Sequence, residues 1–290
     1  MPELPEVETI ARQLRGLVVG RKVKRFRSYW HRLTEPEPAT LFARRLGGRR
    51  ITGVRRRGKF VVLDLEGGEA LIVSLRMTGQ LLFRQGNGAA HPHRRAHIAF
   101  ADGTALEFAD TRKFGRMAIV EAGALESIVG RRRRAGEPLH RHLGVEPLSR
   151  RFTVRWLADA LKLRGRAAIK PLLLDQTLIA GIGNIYAIEA LWRARIHPLR
   201  KAGSLRADEV ARLHEALRWV LRQGIRLGGA SRRDYRDARG EEGRFQNEFQ
   251  VYDQAGEPCP RCGAEVVRTV VGGRGTFHCP RCQRAPRLAP

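Results

Sequence analysis

The tightest constraint in this chain is its cysteine spacing. All four cysteines, Cys259, Cys262, Cys279 and Cys282, stand near the C-terminus as two C-x2-C pairs separated by sixteen residues. Each pair fits one tight turn, and four thiolates so spaced can converge tetrahedrally on one zinc ion. Two disulfides in a secreted protein are the alternative. The N-terminus lacks the basic-then-apolar plan of a signal peptide, so zinc is favoured and the protein is read as cytoplasmic. Between the pairs, VVRTVVGGRGTFHC reads as a hairpin whose turn carries Arg274. Metal would make that hairpin rigid. A guanidinium matches a phosphate in bidentate geometry, although most ribbon arginines are simply solvated.

A phosphate-bearing partner fits the charge. The 290 residues hold 55 Lys plus Arg against 29 Asp plus Glu, a formal net charge of +26. Such a field attracts polyanions, nucleic acid first and an anionic membrane surface second. Heavy arginine usage can also follow genome composition, so charge alone does not establish DNA binding. No stretch has the apolar length of a transmembrane helix.

Against that basic background the chain opens MPELPEVETI, with three glutamates and two prolines in eight residues. Residues 5–17 read as a helix: Pro5 suits the first turn, Val7, Ile10, Ala11, Leu14 and Leu17 share one face, and Gly16 and Gly20 close it. Acids at its start complement the helix dipole. From about 22 to 121 the chain reads as strands. GKFVVLDLEGGEALIVSLRM is two apolar runs about Gly67-Gly68, and HIAFADGTALEF is a hairpin about Asp102-Gly103. One leading helix and several short strands predict a β-sandwich or a flattened barrel. GRRRRAGEP at 130–138 reads as a hinge. Helices are then expected over Phe152–Leu163, Ala167–Leu174, Asn184–Arg193 and Arg206–Arg222. A polar, Gly-rich, mobile loop is expected over 228–248.

The opening residues also carry chemistry. Removal of Met1 would leave Pro2 as a free secondary amine. An α-amine has a pKa of about 7.7–8.0, so part of it is a neutral nucleophile able to form an iminium. Glu3 adjoins it and could donate or accept a proton. GIGNIYA at 181–187 opens a helix near Asn184 and leaves backbone N–H groups able to face an anion.

PELPEVETI resembles the N-terminus of the formamidopyrimidine-DNA glycosylase family. RRRGKF at 55–60, RMTG at 76–79, DTRKFG at 110–115, LLLDQTLIAGIGNIYAIEAL at 172–191 and the terminal zinc ribbon follow in the family's order. The resemblance spans essentially the whole chain. It implies an α+β protein: a catalytic β-sandwich domain with an N-terminal helix at 1–130, a hinge at 131–138, a helix–two-turns–helix domain with a lesion-recognition loop at 139–250, and a zinc finger at 251–290. DNA would lie in the cleft between the halves. It further implies a monomer that excises oxidised purines from damaged double-stranded DNA and cuts the strand by β,δ-elimination. In that role Pro2 resembles the nucleophile at C1′, Glu3 the acid that assists ring opening, Glu6 a supporting acid and Lys59 the active-site lysine. Asn184 and Arg274 match phosphate contacts, and Met77, Arg112 and Phe114 match the residues that fill the space left by an extruded nucleotide. One structural Zn2+ is implied on the four cysteines.

Two departures stand out. Ser74 occupies a position where the family usually has a phosphate-contacting histidine, and the loop at 228–248 matches only in outline, with Arg233 near a usual lysine. The nearest rival, the endonuclease VIII branch that prefers oxidised pyrimidines, typically has glycine where this chain has Leu4 and lacks the Arg-x-Phe of 112–114. A non-catalytic nucleic-acid-binding zinc protein would explain charge and cysteines, but not Pro2-Glu3.

Overall fold

The computed structural model describes residues 1–86, 89–122, 143–232 and 234–285. The expected hinge at 131–138 and Arg233 lie outside the described residues. Two compact units emerge, Met1–Arg141 with Gly224–Gln246, and His142–Gln223 with Asn247–Pro290.

In the first unit, helix α1 covers Leu4–Val18 and buries Val7, Ile10, Ala11, Leu14 and Val18. Gly16 lies inside this helix rather than closing it. The chain turns instead at Gly20, whose φ is 87°. Eight strands follow: β1 (Val23–Ser28), β2 (Ile51–Arg57), β3 (Phe60–Leu65), β4 (Glu69–Ser74), β5 (Gly79–Arg84), β6 (Arg94–Phe100), β7 (Ala105–Asp110) and β8 (Arg116–Glu121). They form two four-stranded antiparallel sheets, ordered β1-β6-β7-β5 and β2-β3-β4-β8. The two sheets share one core with α1, which includes Phe26, Val61, Leu63, Leu71, Val73, Ile98, Phe100 and Phe108. On β3, Val61, Leu63 and Leu65 face that core, whereas Val62 packs with Ala70 and Ile72 in a second small cluster. Both faces of this strand are apolar, so its sequence reads as a run rather than an alternation.

The stretch read as strands alone also contains a helix, α2 (Ala39–Leu46). Phe42 and Leu46, four residues apart, are its buried positions, and Arg44 between them is exposed, whereas a strand would turn all three to one face. Pro38 stands at its N-cap.

Residues 228–248 were expected to be mobile and to belong with the helical domain. Most of this stretch packs in the first unit instead. Tyr235 and Ala238 enter the sandwich core, and the Phe83 N–H donates to the Ala238 carbonyl at 2.8 Å. A few buried apolar groups amid polar residues suffice to fix a loop whose composition suggests the opposite.

The second unit holds α3 (Val154–Leu163), α4 (Ile169–Leu173), α5 (Asn184–Ala194), most of α6 (Ala207–Arg226) and a two-stranded ribbon of β9 (Val267–Val271) and β10 (Arg274–His278). Thr153 caps α3 by accepting from the Trp156 N–H at 3.0 Å. The expected helix at 167–174 is shorter at both ends. Ala168 is extended, and the Ile169 and Lys170 N–H groups bond to Arg200 and Pro198 carbonyls. Helix α5 is buried over Ile185–Trp192. No helix among the described residues is long and apolar enough to cross a membrane.

Candidate active site

The acidic N-terminus is a built feature. Pro2 and Glu3 are buried immediately before α1, with Glu3 as its N-cap. Glu3 and Glu6 form a reciprocal capping box, in which Glu6 Oε2 accepts from the Glu3 N–H at 2.7 Å. The other oxygen, Oε1, accepts from the Ala230 N–H, also at 2.7 Å. One buried carboxylate therefore orients the terminal residues and the loop at 229–232. Gly229 has φ 87°, and a Cβ there would stand 2.8 Å from Glu6 Cγ, so this approach requires glycine. The Tyr235 hydroxyl lies 3.0 Å from the Gly228 carbonyl and 3.3 Å from that of Glu6. Burial, with Glu6 and Asp237 nearby, holds its phenol well above the usual range, so it stays a donor.

Lys59 is half-buried in the two-residue turn Gly58–Lys59, with Arg57 and Phe60 paired on either side. Helix α1 packs on this β2–β3 hairpin, and Arg56 Nε meets Glu8 at 2.9 Å. Burial acts to raise the Glu8 pKa, but Arg12 and Arg56 outweigh it and hold the carboxyl below its ordinary value. The structure thus sets Lys59 at the end of a hairpin tied to the helix that begins with Glu3.

Met77, Arg112 and Phe114 come together from two loops, β4–β5 and β7–β8. Arg112 Nη1 is 3.2 Å from Met77 Sδ, and its guanidinium lies 4.8 Å from the Phe114 ring centroid. Met77 and Phe114 are 41% and 47% exposed. Isolated residues of these types would be assigned to a core by default; here they form an exposed apolar tip stiffened by a cation. Ser74, by contrast, is buried at the end of β4.

In the second unit, Asn184 begins α5 and donates from Nδ2 to the Gly275 carbonyl at 3.0 Å. Its neighbour Arg274 is exposed at the start of β10, directly after the Gly272–Gly273 turn. Asn184 and Arg274 are therefore brought to one place, helix start against hairpin. Gln176 braces the approach by accepting from the Gly181 N–H and donating to the Ile182 carbonyl, both at 2.8 Å.

The four cysteine sulfurs lie within 4.8 Å of one another. Tetrahedral Zn–S bonds of about 2.3 Å place sulfurs about 3.8 Å apart. Cys259–Cys282 at 4.0 Å and Cys262–Cys279 at 3.4 Å bracket that value. Burial and the adjoining Cys262 and Cys279 sulfurs push the Cys282 thiol up to about 12, a crowding that a divalent cation relieves. Trp192 Nε1 donates to Cys259 Sγ at 3.4 Å, and Arg261 stacks on the Trp192 ring at 4.1 Å.

Comparison with known proteins follows the same layout. Residues 1–117 match the formamidopyrimidine-DNA glycosylase N-terminal domain, residues 143–236 the formamidopyrimidine-DNA glycosylase H2TH domain, and residues 256–285 a zinc finger found in FPG and IleRS. The chain belongs to the formamidopyrimidine-DNA glycosylase family. It is 47% identical over 285 residues to the formamidopyrimidine-DNA glycosylase of Roseiflexus sp. strain RS-1, covering 98% of this chain and 100% of that one. Among solved structures, the Lactococcus lactis Fpg in complex with DNA containing an abasic site is 35% identical with a TM-score of 0.86. A mutant of that enzyme with DNA containing Fapy-dG is 35% identical with a TM-score of 0.87. Each of these covers 98% of this chain and 100% of its own.

In this member of the family the four cysteines are positioned to bind one structural zinc ion. Sequence reasoning missed the residues that hold the site rather than form it. Gln13 donates to Asp237 at 2.6 Å and accepts from the Ala238 N–H at 2.9 Å. Glu189, fully enclosed in α5, accepts from the Gln250, Val251 and Tyr252 N–H groups at 2.8–3.2 Å, fixing the segment that leads into the ribbon. A glutamate at a buried helix position was the available signal for Glu189, since such a group needs partners. Gln13 on a half-polar helix gave none.

Proposed function

We infer that this protein is a glycosylase and abasic-site lyase of base excision repair, acting on damaged duplex DNA and removing oxidised purines such as 8-oxoguanine and formamidopyrimidines. Pro2 beside Glu3 at the buried start of α1 carries this reading. Once Met1 is removed, the neutral Pro2 amine forms a bond to C1′ as the bond to the base breaks, and the proton that the amine gives up balances the one that the departing base takes up. Glu3 supplies a proton to the opening sugar ring, leaving an iminium. Loss of the C2′ proton then expels the 3′ phosphate, and a second elimination expels the 5′ phosphate. Hydrolysis of the iminium returns the amine.

The remaining residues serve binding. Lys59 adds positive charge beside the reacting sugar. Asn184, through its side-chain amide, and Arg274, through its guanidinium, grip phosphates, with the zinc holding the ribbon that carries Arg274. Met77, Arg112 and Phe114 occupy the space vacated when the nucleotide leaves the stack. The residues at 229–232, held by Glu6, face the base.

Borohydride with a duplex containing 8-oxoguanine tests the reading. It should trap a protein–DNA adduct, placed on Pro2 by mass analysis. Retention of Met1 turns the amine into an amide and should abolish trapping. Undiminished strand cleavage by the Met1-retaining protein would remove Pro2 from the role, and a preference for thymine glycol would move the chain to the endonuclease VIII branch.

A further inference from the structure

Asp110 is the last residue of β7 and is 1% exposed. None of the roles above uses it, yet its carboxylate is the point where both loops of the exposed tip meet. Oδ2 accepts from the Gly115 N–H at 2.8 Å. Oδ1 accepts from the Arg112 N–H at 3.2 Å and from the Thr78 hydroxyl. The Arg112 N–H is shared with Thr78 Oγ at 3.1 Å. Arg112 and Gly115 bracket the segment that carries Phe114, and Thr78 directly follows Met77. One acid thus fixes the backbone on both sides of Arg112–Phe114 and, through a single hydroxyl, the Met77 loop.

The surroundings show why an anchor is needed. Arg76 and Lys113, each adjacent to a tip residue, have φ of 54° and 57°, a region that side-chain-bearing residues enter only when held. At Gly115 a Cβ would stand 2.3 Å from Phe108 Cζ, so the loop is pressed onto the sheet. Asp110 itself is immobilised: its N–H donates to the His93 carbonyl, and its own carbonyl accepts from Arg95 Nε, both at 2.9 Å.

We propose that Asp110, with the Thr78 hydroxyl as its relay, is the positioning residue that holds Met77, Arg112 and Phe114 as one preformed wedge for the duplex. The proposal rests on the glycosylase reading above. An ionised carboxylate only accepts, and three donors converge on it. An amide in its place would turn an NH2 group toward one of those donors. The wedge would then lose one of its anchors, while Pro2 and Glu3 would be untouched.

The test uses the full-length zinc-loaded protein and two duplexes. One carries 8-oxoguanine. The other carries a tetrahydrofuran abasic analogue opposite 2-aminopurine, whose fluorescence rises when it is unstacked and which requires no chemistry. Asp110→Asn and Thr78→Val should lose most of the fluorescence rise. Their excision from duplex should fall about tenfold to hundredfold relative to their cleavage of an abasic site in single-stranded DNA, the effect of one buried polar group left unpaired. Thr78→Ser, which keeps the hydroxyl, should recover both readouts and decides the matter if Asp110→Asn does not fold. A full fluorescence rise in the variants, equal slowing on both substrates, or a Thr78→Ser protein no better than Thr78→Val would overturn the proposal. An unmodified protein that excises but produces no rise overturns the wedge alone. One that does neither overturns the glycosylase reading with it.

Discussion

Glu6 and Ala230 stand 224 residues apart in sequence and share a 2.7 Å hydrogen bond through a carboxylate whose second oxygen holds Glu3. The N-terminal residues and the loop at 229–232 are thereby linked by one buried side chain. Gly229→Ala is the sharpest probe, because it adds a methyl group against Glu6 and a side chain at φ 87°. Backbone strain of this kind costs about 1–3 kcal/mol. A lower urea midpoint is expected, together with excision of 8-oxoguanine reduced more than cleavage of a preformed abasic site. Excision at the unmodified rate would show that the link has no part in reading the base.

Glu3→Gln separates the two chemical steps. Glutamine keeps the shape of the N-cap but cannot supply the proton for ring opening. A preformed abasic site already presents an aldehyde, so its cleavage should be the less impaired of the two. Single-turnover rates on both substrates measure this, and equal losses would mean that Glu3 acts on the lyase step as much as on base release.

The sequence reveals the proposed reacting groups better than their supports. Pro2-Glu3, the C-x2-C pairs and GIGNIYA are local patterns, and local patterns survive without coordinates. Helix α1 and the β3–β4 and β6–β7 hairpins were legible for the same reason, since periodicity and Gly-rich turns are local signals. Helix α2 was missed because two buried residues in eight give too weak a period amid strands. The packing of 228–248 was missed because Tyr235 and Ala238 are held by a core formed earlier in the chain, and Gln13 and Glu6 are polar residues whose partners lie more than two hundred positions away. Composition describes a segment alone, and this segment is fixed by what it touches. Met77 and Phe114 are the converse case: side chains of core type that the fold leaves exposed.

Zinc and Arg274 can be tested together. Cys279→Ser removes a fully buried ligand, and metal analysis should show loss of the one zinc with weakened DNA binding, while the sandwich core remains folded. Arg274→Ala leaves the metal in place and should cost about 1.5–3 kcal/mol of binding, the range for a hydrogen bond to a charged group. Its salt dependence should be shallower by about one phosphate contact. Unchanged binding across salt concentrations would show that the ribbon does not grip phosphate.

Glu189 gives a prediction with a definite sign in pH. Burial raises its pKa from 4.5 to about 6, outweighing the three backbone N–H groups that favour the charged form. Between those values the folded protein retains a proton that the unfolded chain has released, so this residue's contribution to stability falls as pH rises through the window and stays reduced above it. The size is on the order of 2 kcal/mol. Glu189→Gln removes the ionisation while keeping an oxygen for the Val251 and Tyr252 N–H groups, which both bond to Oε1. Zinc release at low pH affects both proteins alike and cancels in their difference. Relative to the unmodified protein, the variant should therefore gain in urea midpoint as pH is raised from below 4.5 to above 6. A difference that does not change with pH would mean that the Glu189 pKa is the same folded and unfolded, and a variant that loses in midpoint over that range would mean that its backbone donors outweigh burial.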